Sequence, residues 1–139
     1  IIKEKYTDKL FMYDNIRNLE GTFREIRRIK PDIVIDDHIG LIEYPSNDMR
    51  DLRLKIGDTS RRYKWLCKSE KISVILVSQL NRNIEYRTER IPKLSDLAES
   101  GNLEQDAEIV AFTHYPWTVN FENATHGRYG LEIVVAKNS

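Results

Sequence analysis

Residues 74–107 read VILVSQLNRNIEYRTERIPKLSDLAESGNLEQDA, and this stretch decides the fold of the chain. Its first residues form an apolar, β-branched run that predicts a buried strand, and the polar pair Ser78-Gln79 follows where that strand ends. A long loop rich in charged side chains comes next. Open α/β sheets build their ligand sites where strands end, and long loops inside compact domains are usually functional or disordered. The polar cluster that closes this loop favours a function.

The composition bounds the class of protein. The 139 residues suit one domain with its own core, and the 22 basic and 22 acidic side chains cancel, so any contact with nucleic acid must be local. No apolar run approaches the length of a membrane span, and no secretory signal pattern opens the chain. The single cysteine, Cys67, fits a reducing compartment. We therefore expect a cytoplasmic protein without membrane contact.

Strand and helix patterns alternate along the chain. Leu19, Phe23, Ile26 and Ile29 recur three and four apart and predict a helix that ends at Pro31. A second helix, which Ser46 or Asn47 could cap, is predicted by the apolar face Leu52, Ile56, Tyr63, Leu66 and Cys67. Apolar runs predict strands at 9–13, 33–35, 72–77, 109–113 and 129–136. This order predicts an α/β fold with a mainly parallel sheet flanked by helices. The strands at 33–35 and 72–77 are expected to be buried on both faces, and the last two strands to be antiparallel neighbours.

Polar side chains follow two of the predicted strands. Asp36 and Asp37 end one strand, and Ser78 and Gln79 end the next. In a parallel sheet these ends emerge at the same edge, so they could face one ligand. A carboxylate there can hold a magnesium ion through water, and an amide can orient an attacking water or sense a γ-phosphate. From the residues alone, two alternatives remain open. The carboxylate could cap a turn, and the amide could form its hydrogen bonds only with the backbone.

Basic side chains supply two further candidates. Arg82 and other cations of the long loop, with Gly101 allowing close backbone approach, would suit a nucleic-acid phosphate backbone. An ordinary solvated loop is the alternative. Lys137, at the end of the last predicted strand, could reach a phosphate or could simply be a solvated lysine.

Three stretches together resemble the C-terminal, RecA-type motor domain of the DnaB-like replicative DNA helicases. They are PDIVIDDHIGLI (31–42), the stretch 74–112 with SQLNR and SDLAESGNLEQDA, and EIVVAKN (132–138). The middle stretch is the most specific, whereas the first 30 residues fit less distinctively. The resemblance implies that residues 1–139 are the C-terminal portion of a single RecA-type motor domain, with a sheet that is incomplete on the N-terminal side.

The resemblance also implies an activity. Members of this family form hexameric rings of identical subunits, which hydrolyse ATP or another nucleoside triphosphate with Mg²⁺ and unwind duplex DNA by translocating on single-stranded DNA. Primase and a helicase loader are candidate partners, and the setting would be a bacterial or phage-infected cell.

Four residues take nucleotide roles by this resemblance. Asp37 looks like the Walker B aspartate that holds magnesium through water, with Asp36 beside it. Gln79 looks like the glutamine that links the γ-phosphate to the DNA-facing loop. Lys137 looks like the lysine of a Lys-x-Arg element that reaches the neighbouring subunit's nucleotide and stabilises charge on the transferring phosphoryl group.

The same resemblance also implies which residues face DNA. Glu99, Ser100 and Gly101 match the segment that tracks DNA phosphates, and Arg82 lies in the loop that leads to it. One departure concerns this segment, because Ala98 stands where the family usually has arginine.

Two further departures concern catalysis. Ser139 aligns with the arginine of Lys-x-Arg, and the sequence contains no G-x-x-x-x-G-K-[ST] phosphate loop. We therefore expect the chain to be a piece of a longer protein, with the phosphate loop and catalytic glutamate upstream, and to lack ATPase activity by itself. The alternatives are another RecA-family ATPase, or a degenerate RecA-like domain that serves as a DNA-binding or interaction module.

Overall fold

Three helices and four strands form the framework in the computed structural model, which describes residues 9–97, 101–119, 124 and 127–139. In chain order these are α1 (Leu19–Ile29), β1 (Ile33–Asp36), α2 (Leu52–Glu70), β2 (Ser73–Leu76), α3 (Gly101–Asp106), β3 (Ile109–His114) and β4 (Glu132–Asn138). The predicted α/β class is confirmed. None of the described helices combines the length and apolar character that a membrane crossing needs.

Helix α1 contains the predicted apolar stripe and ends before Pro31, as expected, and both of its ends are capped. The Asn18 side chain accepts a hydrogen bond from the Gly21 amide at 2.8 Å. At the other end Lys30 turns left-handed, with φ 53°, and its amide bonds the Ile26 carbonyl. The buried stripe of the helix consists of Leu19, Phe23 and Ile26.

Helix α2 begins later than predicted. Its cap is Asp51, whose carboxylate accepts from the Arg53 amide at 2.8 Å, so the expectation that Ser46 or Asn47 caps it is wrong. The segment in between is irregular, since Asp48 bonds the Arg50 backbone and guanidinium instead. Sequence pattern alone does not distinguish a capping side chain from one that closes a short turn.

Strands β1 and β2 pair in parallel, from Ile33 opposite Ser73 to Asp36 opposite Leu76. Helices α1 and α2 cover one face of this pair. The core between them contains the buried residues Leu19, Phe23, Ile26, Tyr63 and Leu66, with Val34, Val74 and Leu76 of the strands packed against it.

The opposite face of this strand pair is exposed, so the expectation of burial on both faces is wrong. Ile35 is 66% exposed, and Ile33 and Ile75 are also exposed. Side chains alternate between the two faces of a strand, and the described residues supply a helical layer on only one of them. The predicted strand at 9–13 is wrong as well, because no described strand pairs with these residues.

Strands β3 and β4 pair antiparallel, as predicted, and form a two-stranded sheet of their own. Their register runs from Ile109 opposite Asn138 to His114 opposite Glu132, with a bulge at Val110 and Ala111. One face of β3 is buried, and it consists of Val110, Phe112 and His114.

A buried acid orders the long loop that follows β2. Asp96 is 6% exposed, and its carboxylate accepts from the Arg87 guanidinium at 2.5 Å and from the Lys93 amide at 2.8 Å. Its carbonyl accepts from the Asn81 amide at 2.8 Å. Leu80 and Leu97 form an isolated antiparallel bridge that closes the loop. The loop is therefore a folded unit with joined ends.

Truncation in the core should destabilise the fold much more than truncation on its surface. Leu66 is 2% exposed, so Leu66→Ala should lower the free energy of unfolding by about 3 kcal/mol. Leu54 of the same helix is 56% exposed, and Leu54→Ala should cost no more than about 0.5 kcal/mol. Urea denaturation of both variants measures the difference, and equal losses would contradict this core.

Removing the cation from the loop should loosen it. Arg87→Met leaves the Asp96 carboxylate buried without its charged partner. Removing one partner of a buried ion pair in this way should lower the free energy of unfolding by about 3 kcal/mol. Hydrogen exchange of the amides of residues 81, 93 and 96 should accelerate. Arg90 is exposed, so Arg90→Met provides the matched control and should leave exchange unchanged. Identical exchange in the two variants would argue against the role of Arg87.

Candidate functional site

The ends of β1 and β2 meet at one edge, as predicted from their order. The Val77 amide donates to the Asp36 carbonyl at 3.0 Å, and the Ile39 amide donates to the Val77 carbonyl at 3.0 Å. The backbone therefore stays paired beyond the regular strands. Asp37 and Ser78 leave the sheet side by side, which brings the two predicted polar strand ends together.

The two adjacent aspartates have different environments. Asp36 lies on the face covered by the helices, where its carboxylate accepts a hydrogen bond from the Tyr63 hydroxyl. Asp37 is exposed, and no described residue donates a hydrogen bond or forms an ion pair with its side chain. The free carboxylate at this edge is thus Asp37. An exposed carboxylate at the end of a parallel strand suits a hydrated Mg²⁺, which needs only one or two such ligands.

The turn after Asp37 is closed by a histidine that sequence reasoning did not select. The Gly40 amide donates to His38 Nδ1 at 3.1 Å. This turn buries Ile39, which packs with Ile56 of α2 and Leu103 of α3. The only sequence signal for the role of His38 was a polar residue two positions before a glycine, which is typical of many turns.

Gln79 lies between the sheet edge and the loop. Its side chain is exposed and has no described partner, so it is available to a ligand at this edge. Leu80, the next residue, bridges to Leu97 at the far end of the loop. The chain therefore leads from Gln79 through a closed loop directly to residue 98.

The candidate DNA-facing residues are described only in part. Glu99 and Ser100 lie outside the described residues, as does Ala98. Gly101 is exposed at the start of α3 with open space around the position of a Cβ, and Arg82 is exposed at the start of the loop. A cleft of about 330 Å³ lies beside Gly101, and Arg53 of α2 lines it together with Asn81, Ser95, Gly101 and Glu104. Sequence reasoning missed Arg53, because only the packing of α2 brings it to the loop.

Lys137 makes contacts within its own chain. Its ammonium donates to the carbonyls of Glu104 at 2.8 Å and Ala107 at 2.7 Å. Lys64 donates to the Asp106 carbonyl at 2.8 Å. These cations cap the C-terminal end of α3, where unpaired carbonyls and the helix dipole favour positive charge. The role of Lys137 at a neighbouring nucleotide, like the roles of Asp36, Asp37 and Gln79, stays a prediction.

Comparison with known proteins gives one consistent family. The profile of the DnaB-like helicase C terminal domain matches residues 4–139. The chain is 31% identical over 115 residues to the replicative DNA helicase DnaC of Bacillus subtilis (strain 168), covering 80% of the chain and 25% of that protein. It is 43% identical over 82 residues to the replicative DNA helicase DnaB of Buchnera aphidicola subsp. Baizongia pistaciae, covering 59% of the chain and 18% of that protein.

Solved structures agree with the sequence comparison. The ATPase domain of G40P superimposes with a TM-score of 0.79 at 31% identity, covering 88% of this chain and 44% of that one. A DnaB-like replicative helicase, described with its interactions with primase, gives a TM-score of 0.78 at 30% identity, covering 88% and 30%. The predicted RecA-like fold is confirmed, and the chain spans about a quarter of the length of the first curated relatives. The chain belongs to the family of DnaB-like helicase C-terminal domains.

Proposed function

We propose that this chain is part of the ATP-dependent motor of a replicative DNA helicase, which unwinds duplex DNA by translocating on single-stranded DNA. The observation that carries the proposal is the shared edge of β1 and β2. There Asp37, with its free carboxylate, follows β1, and Gln79, with its free amide, follows β2, in a chain whose relatives are replicative helicases. This is the edge where open α/β sheets bind ligands.

On the nucleotide side, we assign Asp37 to magnesium and Gln79 to the γ-phosphate. Asp37 would hold the metal through its water shell. ATP or another nucleoside triphosphate would supply the phosphoryl group, and Mg²⁺ would neutralise its charge. The Gln79 amide would report the state of the γ-phosphate to the loop. Since the sequence contains no G-x-x-x-x-G-K-[ST], we propose that the chain alone does not hydrolyse ATP.

On the DNA side, we assign the phosphate backbone of single-stranded DNA to Arg82 and to the segment Glu99, Ser100 and Gly101. The zero net charge of the chain requires such contacts to be local. Gly101 supports this assignment because no atom of the described residues beyond its chain neighbours and its own helix backbone lies within 4 Å of its Cβ position, which leaves room for a close approach of the DNA backbone.

The loop between these two sides would couple them. It is closed by the Leu80–Leu97 bridge and cross-linked by the Arg87–Asp96 ion pair. A displacement at Gln79 would therefore move residues 98–101 instead of being absorbed within the loop. Such coupling needs a segment that shifts as a unit.

For the whole protein we propose a hexameric ring of identical subunits in the cytoplasm of a bacterial or phage-infected cell, with residues 1–139 as the C-terminal portion of the motor domain. Lys137 would face the nucleotide of the neighbouring subunit. Primase is a proposed partner, supported by the description of one solved relative, and a helicase loader is another.

Removing the charge of Asp37 should abolish hydrolysis in the intact helicase. Asp37→Asn should lower magnesium-dependent ATP turnover by roughly 100-fold or more, since the amide binds a hydrated cation poorly. Asp32, exposed just before the opposite end of β1, offers the control Asp32→Asn, which should keep wild-type turnover. A steady-state phosphate-release assay measures both. Normal turnover of Asp37→Asn would refute the assignment.

Truncating Gln79 should separate hydrolysis from DNA binding. In the intact helicase, Gln79→Ala should bind single-stranded DNA but lose the stimulation of ATP turnover that DNA produces in the wild type. Asn47 is an exposed amide in the segment before α2, and Asn47→Ala should retain the stimulation. Turnover is measured with and without a single-stranded oligonucleotide. Unchanged stimulation in Gln79→Ala would rule out this coupling role.

A further inference from the structure

The end of β1 carries two carboxylates in sequence, and the structure separates them. Strand alternation places Asp36 on the helix-covered face with Val34, and Asp37 emerges on the other side. Only Asp36 has a described side-chain partner, which is the Tyr63 hydroxyl. The separation matters because two free carboxylates at a phosphate-binding edge would repel the anion that the edge is proposed to bind.

Tyr63 is a buried hydrogen-bond donor whose ring packs against another aromatic ring. It is 1% exposed, and its ring meets the Phe23 ring edge-on, with 5.1 Å between centroids and 73° between planes. Burial, and then its hydrogen bond to Asp36, raise the pKa of Tyr63 well above the ordinary value. The phenol therefore stays protonated and donates. Its hydroxyl joins the interior of the 19-residue helix α2 to the last residue of β1.

We propose that Tyr63 is a positioning residue for the magnesium carboxylate of Asp37. By holding the Asp36 side chain against α2, the Tyr63 hydroxyl fixes the rotation of the peptide that carries Asp37, and it keeps the Asp36 charge on the helix side of the sheet. The backbone bond from the Val77 amide to the Asp36 carbonyl restrains the strand itself. The Tyr63 bond adds the side-chain restraint. The inference rests on the proposed role of Asp37.

Helix α2 offers a matched control for the loss of a tyrosine hydroxyl. Tyr44 forms a 2.9 Å hydrogen bond with Thr59, which lies on α2 one turn before Tyr63. This bond is also partly buried, and burial raises the pKa of Tyr44 too. Its partner is not at the end of β1. Tyr44→Phe therefore removes a comparable hydroxyl without releasing Asp36.

The test measures ATP turnover of the intact helicase as a function of Mg²⁺ concentration, well below the melting temperature of each variant. Tyr63→Phe should raise the Mg²⁺ concentration for half-maximal turnover by about tenfold, the size of effect seen when a residue that orients a metal ligand is lost. Tyr44→Phe should leave it unchanged within about twofold.

Two substitutions of Asp36 test the same bond from its other side. Asp36→Val removes the acceptor and should raise the half-maximal Mg²⁺ concentration as Tyr63→Phe does. Asp36→Asn keeps an oxygen that can accept from the Tyr63 hydroxyl, so its shift should be clearly smaller than that of Asp36→Val. These variants keep the test decisive if Tyr63→Phe fails to fold.

The outcomes separate this inference from the proposed function. If Asp37→Asn is inactive while Tyr63→Phe and Asp36→Val keep the wild-type Mg²⁺ dependence, Asp37 retains its role and Tyr63 has none in positioning it. A lower melting temperature with an unchanged half-maximal Mg²⁺ concentration likewise overturns the inference. If Asp37→Asn is active and Asp36→Asn is not, the proposed magnesium assignment itself fails.

Discussion

The parallel pairing of β1 with β2 is the constraint on which the rest of the structure depends. Pairing Asp36 with Leu76 brings the two polar strand ends to one edge, and the backbone bonds at Val77 and Ile39 hold them there. The same pairing presents Val34, Val74 and Leu76 to the core formed by α1 and α2. One register thus sets both the packed face and the candidate ligand edge, because a shift by a single residue would exchange the two faces.

The short helix α3 connects the parts of the proposed motor. It begins at Gly101, the last residue of the candidate DNA segment, and its Leu103 packs against Ile39 in the turn that follows β1. A Cβ on Gly57 of α2 would lie within 3.2 Å of the Asn102 Cβ, so a glycine there permits the close approach of α3. At the other end, Lys137 of β4 caps the helix.

The successes and failures of the sequence predictions have one physical basis. The helix that carries Leu19, Phe23, Ile26 and Ile29 was predicted because apolar periodicity and a following proline are local signals. The antiparallel pairing of the last two strands followed from the missing crossover helix. The strand at 9–13 and the two-sided burial of β1 were wrong, because strand pairing and burial need partners that a short window of sequence does not specify. Among the site residues, Arg53 and Tyr63 were missed for the same reason, whereas His38 was missed because its local signal is common to many turns.

The sequence by itself determined the family, the helices α1 and α2, the four strands and the candidate residues at the strand ends, since these rest on local periodicity and on a long, specific motif. It did not predict the short helix α3, which lies where a loop was expected. Only the tertiary structure decided which carboxylate is free. Asp36 and Asp37 are adjacent and chemically identical, and they differ because Tyr63, 27 residues away, reaches one of them. The tertiary structure also decided where the Lys137 ammonium lies, because this group donates to the carbonyls of Glu104 and Ala107, which are 33 and 30 residues earlier in the chain. Such contacts depend on how helices pack on strands, which no local pattern of residues encodes.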